Sequence, residues 1–311
     1  ISTEVGKGYR ALANVSDDGV QEGLWIEWFE DGQKRRERNF KNGERDSTWN
    51  TWYENGNKRF LATYNDGKLN GKYIRWYQGG IIKELDGDYI NNKKHNKWVF
   101  WGKNGQKSEE INYNAGIQNG PHIKWFGDSS DQHKKFHKNF KNGEKDGEWH
   151  YWYTTGVDSL KSSYLEGKKD GHWIWWRSNG LKDKEGFYKK EKKHGVWTVW
   201  NDSSGTAYHK LHEETFVNDI IDGSVTKWYK EGDIDRQGVM RGKEREGEWT
   251  YWEKGGKRWL KFDYGDGLER VTLGEIEERD GITYKIGKYE PYIGIVEEIG
   301  GKRGYKLLGR F

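Results

Sequence analysis

The residues best suited to chemistry in this sequence are two pairs of histidines. His133 and His137 stand four apart, and His209 and His212 stand three apart with Glu213 and Glu214 directly after. Imidazoles at that spacing beside carboxylates can ligate Zn²⁺ or Cu²⁺. The plainer reading is a pair of polar, extended hairpin tips whose histidines are solvated and bulge from the body of the protein. The two tips would lie about 30 Å apart by strand spacing, too far for one site. No metal and no cofactor is therefore expected.

Basic residues recur at a second kind of position: Lys34, Arg35, Lys58, Arg59, Lys83, Lys107, Lys161, Lys182, Lys257 and Arg258. Aligned by a repeat, they would form a stripe able to attract an anionic polymer, lipid head groups or an acidic partner. Glu37, Glu84, Glu109, Glu110 and Glu185 follow one to three positions later, and salt pairing across strands on a wet face explains the arrangement more cheaply. A third possibility is a ladder of Trp and Tyr rings stacking on sugars. The sequence holds no P-loop, no G-x-G-x-x-G after a strand, no G-x-S-x-G and no H-E-x-x-H. Asp146, Asp170, His194 and Asp222 recur because a turn between repeats wants them. No catalytic residue is expected, and the chain is read as a non-enzyme.

What must position these residues is a repeat. Trp28, Trp52, Trp76, Trp101, Trp125, Trp152, Trp176, Trp200, Trp228 and Trp252 follow at intervals of 24, 24, 25, 24, 27, 24, 24, 28 and 24 residues. So regular a period means a stack of small like units. Each half-unit is short, bounded by glycine and rich in Trp, Tyr, Thr, Ile and Val, which reads as strand. Asn-Gly and Asp-Gly pairs are expected at both turns: Asn55-Gly56, Asn104-Gly105 and Asn179-Gly180 at the first, Asn70-Gly71, Asn119-Gly120, Asp146-Gly147 and Asp170-Gly171 at the second. The fold class is all-β: an elongated array of about ten antiparallel β-hairpins, a single twisted meander or rod about 100 Å long by strand spacing. Residues 23–268 form the array, 1–22 an N-terminal half-repeat cap, and 269–311 a divergent β-rich cap or the start of a further module. As a cap, 269–311 would cover the open edge of the last hairpin.

Strand alternation puts Trp149, Tyr151 and Tyr153 on one face and His150 and Trp152 on the other. The row containing Trp152 is expected to be the buried, stacked ladder. Phe40, Tyr64, Tyr89, Tyr113, Phe140, Tyr164, Tyr188, Phe216 and Tyr264 of the second strand should join it. The 19 Trp, 19 Tyr and 11 Phe supply that core despite a mean hydropathy of −1.19.

The motif G-x-W-x-x-W-[YF]-x-x-G, followed by an aromatic and Gly over roughly residues 23–268, resembles the bacterial variant of the MORN repeat, found in an antitoxin-labelled family. The resemblance implies an elongated β-hairpin array and little about activity.

The 54 basic and 50 acidic residues leave a net charge of +4, a mixed surface rather than the basic footprint of a nucleic-acid binder. Without cysteine no thiolate chemistry is possible, and no apolar run reaches the roughly 18 residues of a membrane span. The chain begins at Ile1 without an initiator Met, which a cleaved secretory signal or a fragment boundary would explain. The expectation is a structural or protein-interaction scaffold, extracellular or in the cell envelope, with the cytoplasm as the other location. Its partner would be a protein or another copy of the chain. Alternatives are a carbohydrate or cell-envelope binder and an antitoxin-like inhibitor of a protein.

Overall fold

A computed structural model of the chain describes residues 2–5, 9–127, 132–201, 208–264, 270–272, 276–279, 282–285, 294–297 and 305–308, with side chains for 12–127, 132–201, 208–257 and 264. The described residues are all-β, with no helix among them. The hairpins fall into two compact units, Ile1–Leu160 with Tyr164–Gly167 and Lys161–Ser163 with Lys168–Phe311.

In the first unit Tyr9–Leu12 pairs with Gly23–Trp28, which pairs with Lys34–Lys41, and antiparallel pairing then continues from strand to strand. The second unit repeats the scheme from Gly171–Trp176 to Arg258–Asp263. The strands described within 270–308 pair with one another: Arg270–Thr272 lies parallel to Gly294–Glu297, which pairs with Tyr305–Leu308, and Ile276–Arg279 pairs with Ile282–Lys285.

The two turns of a repeat differ, and only one matches the two-residue hairpin expected. After the first strand, Gly56 donates its N–H to the Tyr53 carbonyl and Tyr53 donates to Asn57. Gly56 alone takes positive φ (80°), while the Asn55 side chain accepts from the Asn57 N–H. This is a three-residue loop, a type I turn closed by a left-handed glycine. The second turn is a two-residue loop with both residues at positive φ, as at Asp66-Gly67 (46° and 71°) and Asn142-Gly143 (51° and 86°). It lies some four residues before the Asn-Gly and Asp-Gly pairs expected there. Asn70-Gly71, Asn119-Gly120, Asp146-Gly147 and Asp170-Gly171, with His194 and Asp222, are not turn residues. They sit where the first strand bulges, and Ser47, Gly71, Asn96 and Gly147 carry positive φ at that point. A left-handed glycine serves a bulge as well as a turn.

Each second turn from Asn42-Gly43 to Asn218-Asp219 also joins the hairpin before it. The N–H of its second residue donates to a carbonyl at the start of the preceding first strand: Gly43 to Gln21, Gly67 to Arg45, Asn92 to Leu69 and Gly116 to Lys94 in the first unit, Glu191 to Lys169 and Asp219 to Lys193 in the second. At Lys190 (φ 49°) the turn uses a residue that resists the left-handed region. Lys190→Asn is expected to stabilise the protein by about 1 kcal/mol, read as a higher urea midpoint. An unchanged midpoint would show that the turn carries no strain.

The buried row is the opposite of the one expected. Trp98 is 2% exposed, Trp149 and Trp173 5%, Trp197 6% and Trp249 3%, whereas all ten tryptophans of the Trp28-to-Trp252 ladder are only half-buried. The second-strand aromatics join the buried row: Trp49 lies 5.1 Å from Tyr64, Trp149 4.9 Å from Tyr164 and Trp197 5.0 Å from Tyr188. The reason is the bulge. Gly87 alone faces Asn96–Trp98 between the pairs Asp86 with Val99 and Asp88 with His95. The Trp98 indole folds over that glycine, and its N–H donates to the Asp88 carbonyl at 3.0 Å. The same bond runs from Trp49 to Asn39 and Trp149 to Asn139, and in the second unit from Trp173 to Ser163, Trp197 to Phe187 and Trp249 to Val239. A buried indole thus meets its hydrogen-bonding requirement within the sheet.

A cation four residues before each of these tryptophans covers the stack. Arg45 lies 4.7 Å from the Trp49 ring, Lys94 4.6 Å from Trp98, Lys145 5.0 Å from Trp149 and Lys193 4.5 Å from Trp197. Each contact contributes about 0.5–1 kcal/mol.

Candidate binding groove

The structure places the four histidines of the two pairs within hairpins. His133 closes the loop after Trp125, and its Nδ1 lies 3.0 Å from the Thr154 carbonyl, over the next first turn. His209 holds the equivalent place beside Asn201 and the Tyr229 carbonyl. His137 and His212 lie inside strands, their pKa values lowered by burial first and then by Lys134 and Lys227 respectively. The four histidines are therefore parts of hairpins rather than solvated tips. The tip residues 128–131 and 202–207 lie outside the described residues. Among the described residues no three His, Asp or Glu side chains are grouped to hold a metal.

The basic stripe is split. One extra residue on each second strand, such as Arg35 against the pairs Glu27 with Arg36 and Trp28 with Lys34, sends neighbours in different directions. Lys34 reaches toward Trp52 and Arg35 toward Phe29, each at 5.9 Å. The same extra residue lets side chains three apart meet: Lys34 with Glu37, Lys83 with Asp86, Lys107 with Glu110 and Lys182 with Glu185. Salt pairing also runs across strands as expected, from Arg75 to Glu84, Lys97 to Glu110, Lys124 to Glu109 and His172 to Glu185. The Arg258 side chain lies outside the described residues.

On the Arg35 side the first unit carries a groove of 1020 Å³. Phe29, Tyr53, Phe60 and Tyr73 give it aromatic surface, all half-buried. The Tyr53 hydroxyl donates to the Trp76 carbonyl at 2.8 Å, which fixes the ring, and Phe60 meets Tyr73 edge-on at 5.0 Å. Arg35, Arg36, Arg59 and Arg75 line the same space with Glu54 and Glu84. Arg75 is bound to Glu84 at 2.6 Å, and that bond raises its pKa. Glu27 is shared by Arg35, Arg36 and Arg38 at 3.7, 3.3 and 3.5 Å. The Arg38 pKa is lowered, chiefly by burial, with Glu27 opposing. Arg59 is exposed 5.7 Å from the Tyr53 ring, with no carboxylate partner among the described residues. Positive charge thus exceeds its carboxylate partners around half-exposed rings.

Further along the first unit the aromatic row is broken by a polar cluster. His122 stands where Trp98 and Trp149 stand in neighbouring repeats, 4.9 Å from Phe136. Its Nε2 lies 2.7 Å from Glu109, and Lys124 lies 3.7 Å from the same oxygen. The His122 bond holds the Glu109 pKa below its usual value, against the cost of burial. Such a carboxylate stabilises the fold fully above its unfolded pKa and loses that effect as pH falls through the lower folded value. Stability is expected to drop below about pH 4, and less steeply in Glu109→Gln. Equal acid sensitivity in both proteins, read by urea unfolding, would remove Glu109 from the account.

No family model and no curated protein matches this chain.

Proposed function

We propose that this chain is a non-enzymatic interaction scaffold, a MORN-like hairpin array that works outside the cytoplasm or in the cell envelope. Its partner is another protein or a further copy of the chain. One observation supports this above others. The inner tryptophans from Trp49 to Trp249 bond within the sheet, and the ladder from Trp28 to Trp252 stays half-exposed at the repeat period. Half-buried Trp surface supplies contact area at little entropic cost. Purified protein exposed to an extract of its source cells should retain one stoichiometric protein, and a Trp52→Ser, Trp76→Ser variant should lose it. Turnover in a substrate screen, abolished by one substitution, would overturn the non-enzymatic reading. A second reading, a carbohydrate or cell-envelope binder, is favoured by the groove of half-exposed rings and arginines in the first unit.

A further inference from the structure

We propose that the groove of the first unit binds an acidic polysaccharide whose carboxylates recur once per disaccharide; this rests on the carbohydrate reading. Three observations converge on it.

The first is surface chemistry. A pyranose offers an apolar C–H face ringed by hydroxyls, so a site for it needs exposed ring faces beside hydrogen-bonding groups. Tyr53, Phe60 and Tyr73 supply the rings, and Glu54 and Glu84 supply acceptors for hydroxyl protons. The second is charge. Arg59 projects into the same space without a carboxylate partner among the described residues, and Arg35 and Arg36 share Glu27 with Arg38. A guanidinium recognises a carboxylate through two parallel N–H···O bonds.

The third is spacing. Arg35 and Arg59 occupy the same bulge position on successive hairpins, as the extra residues opposite Glu27–Trp28 and Thr51–Trp52. Equivalent residues two strands apart are separated by about 10 Å. One disaccharide of an extended, β-linked glycan covers that distance, so carboxylates on alternate sugars would meet both arginines. An extended acidic peptide fits less well, because its same-face side chains recur at about 7 and 13 Å. A nucleic-acid strand carries a charge on every nucleotide and would set phosphates against Glu54 and Glu84.

The test uses the full chain and calorimetric titration with four probes: a hyaluronan octasaccharide, its carboxyl-reduced counterpart, poly-glutamate and an oligothymidylate. The hyaluronan oligomer should bind, weaken as salt is raised, and lose about tenfold in affinity in Arg59→Ala. Arg59→Lys should recover part of that loss, and Lys182→Ala in the second unit should bind as the unaltered protein does. Arg59 is exposed and makes no ion pair among the described residues, so losing its contact with the Tyr53 ring should lower the unfolding midpoint only slightly and leave the protein folded. Equal binding of the carboxyl-reduced oligomer would keep the carbohydrate reading and overturn the acidic one. Stronger binding of poly-glutamate or oligothymidylate would overturn both in favour of a peptide or nucleic-acid groove. Binding of none of the four, or affinity for the octasaccharide unchanged by Arg59→Ala, would remove the groove as the site.

Discussion

Trp197→Ala is expected to destabilise the second unit by about 3–5 kcal/mol, and Trp200→Ala, three residues on, by less than half as much. The two side chains are alike and lie on one strand, so the comparison isolates the face. Trp197 is 6% exposed, touches Trp175, Tyr188 and Phe216, and carries Lys193 against its ring. Its removal opens a cavity in an aromatic stack and leaves the Phe187 carbonyl without the indole N–H. Trp200 is half-buried; among the described residues its ring contacts are Tyr208, stacked at 6.4 Å, and Lys182 at 5.5 Å. Urea unfolding followed by far-ultraviolet circular dichroism reads the difference without relying on the fluorescence of the residue removed. Equal losses, or a larger loss at Trp200, would mean that the ladder face is the core after all.

Gly87→Val should destabilise the first unit by overpacking its aromatic stack. A Cβ at Gly87 would stand 2.3 Å from Trp98 Cδ2 and 2.4 Å from Cε2, inside the ring rather than beside it. The Trp98 indole cannot withdraw without breaking its bond to Asp88. Overpacking of this kind costs about 1–3 kcal/mol or more. Gly87 is not at positive φ, so the penalty comes from the ring and not from the backbone. A double variant, Gly87→Val with Trp98→Leu, makes room for the new side chain. It should be less unstable than the sum of the two single changes. Additive losses would show that the glycine is needed for something other than Trp98.

The period, the all-β class and the pairing of each strand with the next are legible in the sequence, because aromatic spacing and glycine placement repeat so regularly. Which tryptophan row is buried is not, for a specific reason. The two tryptophans of W-x-x-W recur at the same period and, three apart on a strand, face opposite ways. The sign that separates them lies on the preceding strand. Gly87, Gly186 and Gly238 stand eleven residues before Trp98, Trp197 and Trp249, and each would clash with that ring if it bore a Cβ. The second turns were misplaced because a left-handed glycine marks bulges and turns alike. The groove was half visible. Arg35 and Arg59 stand out in the basic stripe, but separating them from Lys34 and Lys58 requires the register shift at the bulge.

The hydrogen bonds made by the second turns have a consequence for how such a chain can change length. Each of those turns is two residues long and donates to the hairpin before it, from Gly43 to Gln21 through Asp219 to Lys193. An added residue there would displace the donor and disturb pairing with both neighbours. Among the described residues, first turns make no backbone–backbone bond to the preceding repeat and are linked through side chains, as from Asn57 to Gly79 and from Gly255 to Asp233, and the extra residues of the two long repeats fall between Trp125 and Lys134 and between Trp200 and Lys210. Within each unit one margin is therefore tied by the backbone itself, like a selvedge, and the other by side chains, like a hem. Grafted peptides, affinity tags or protease sites belong on the hem, where one repeat can be lengthened while its neighbours keep their register.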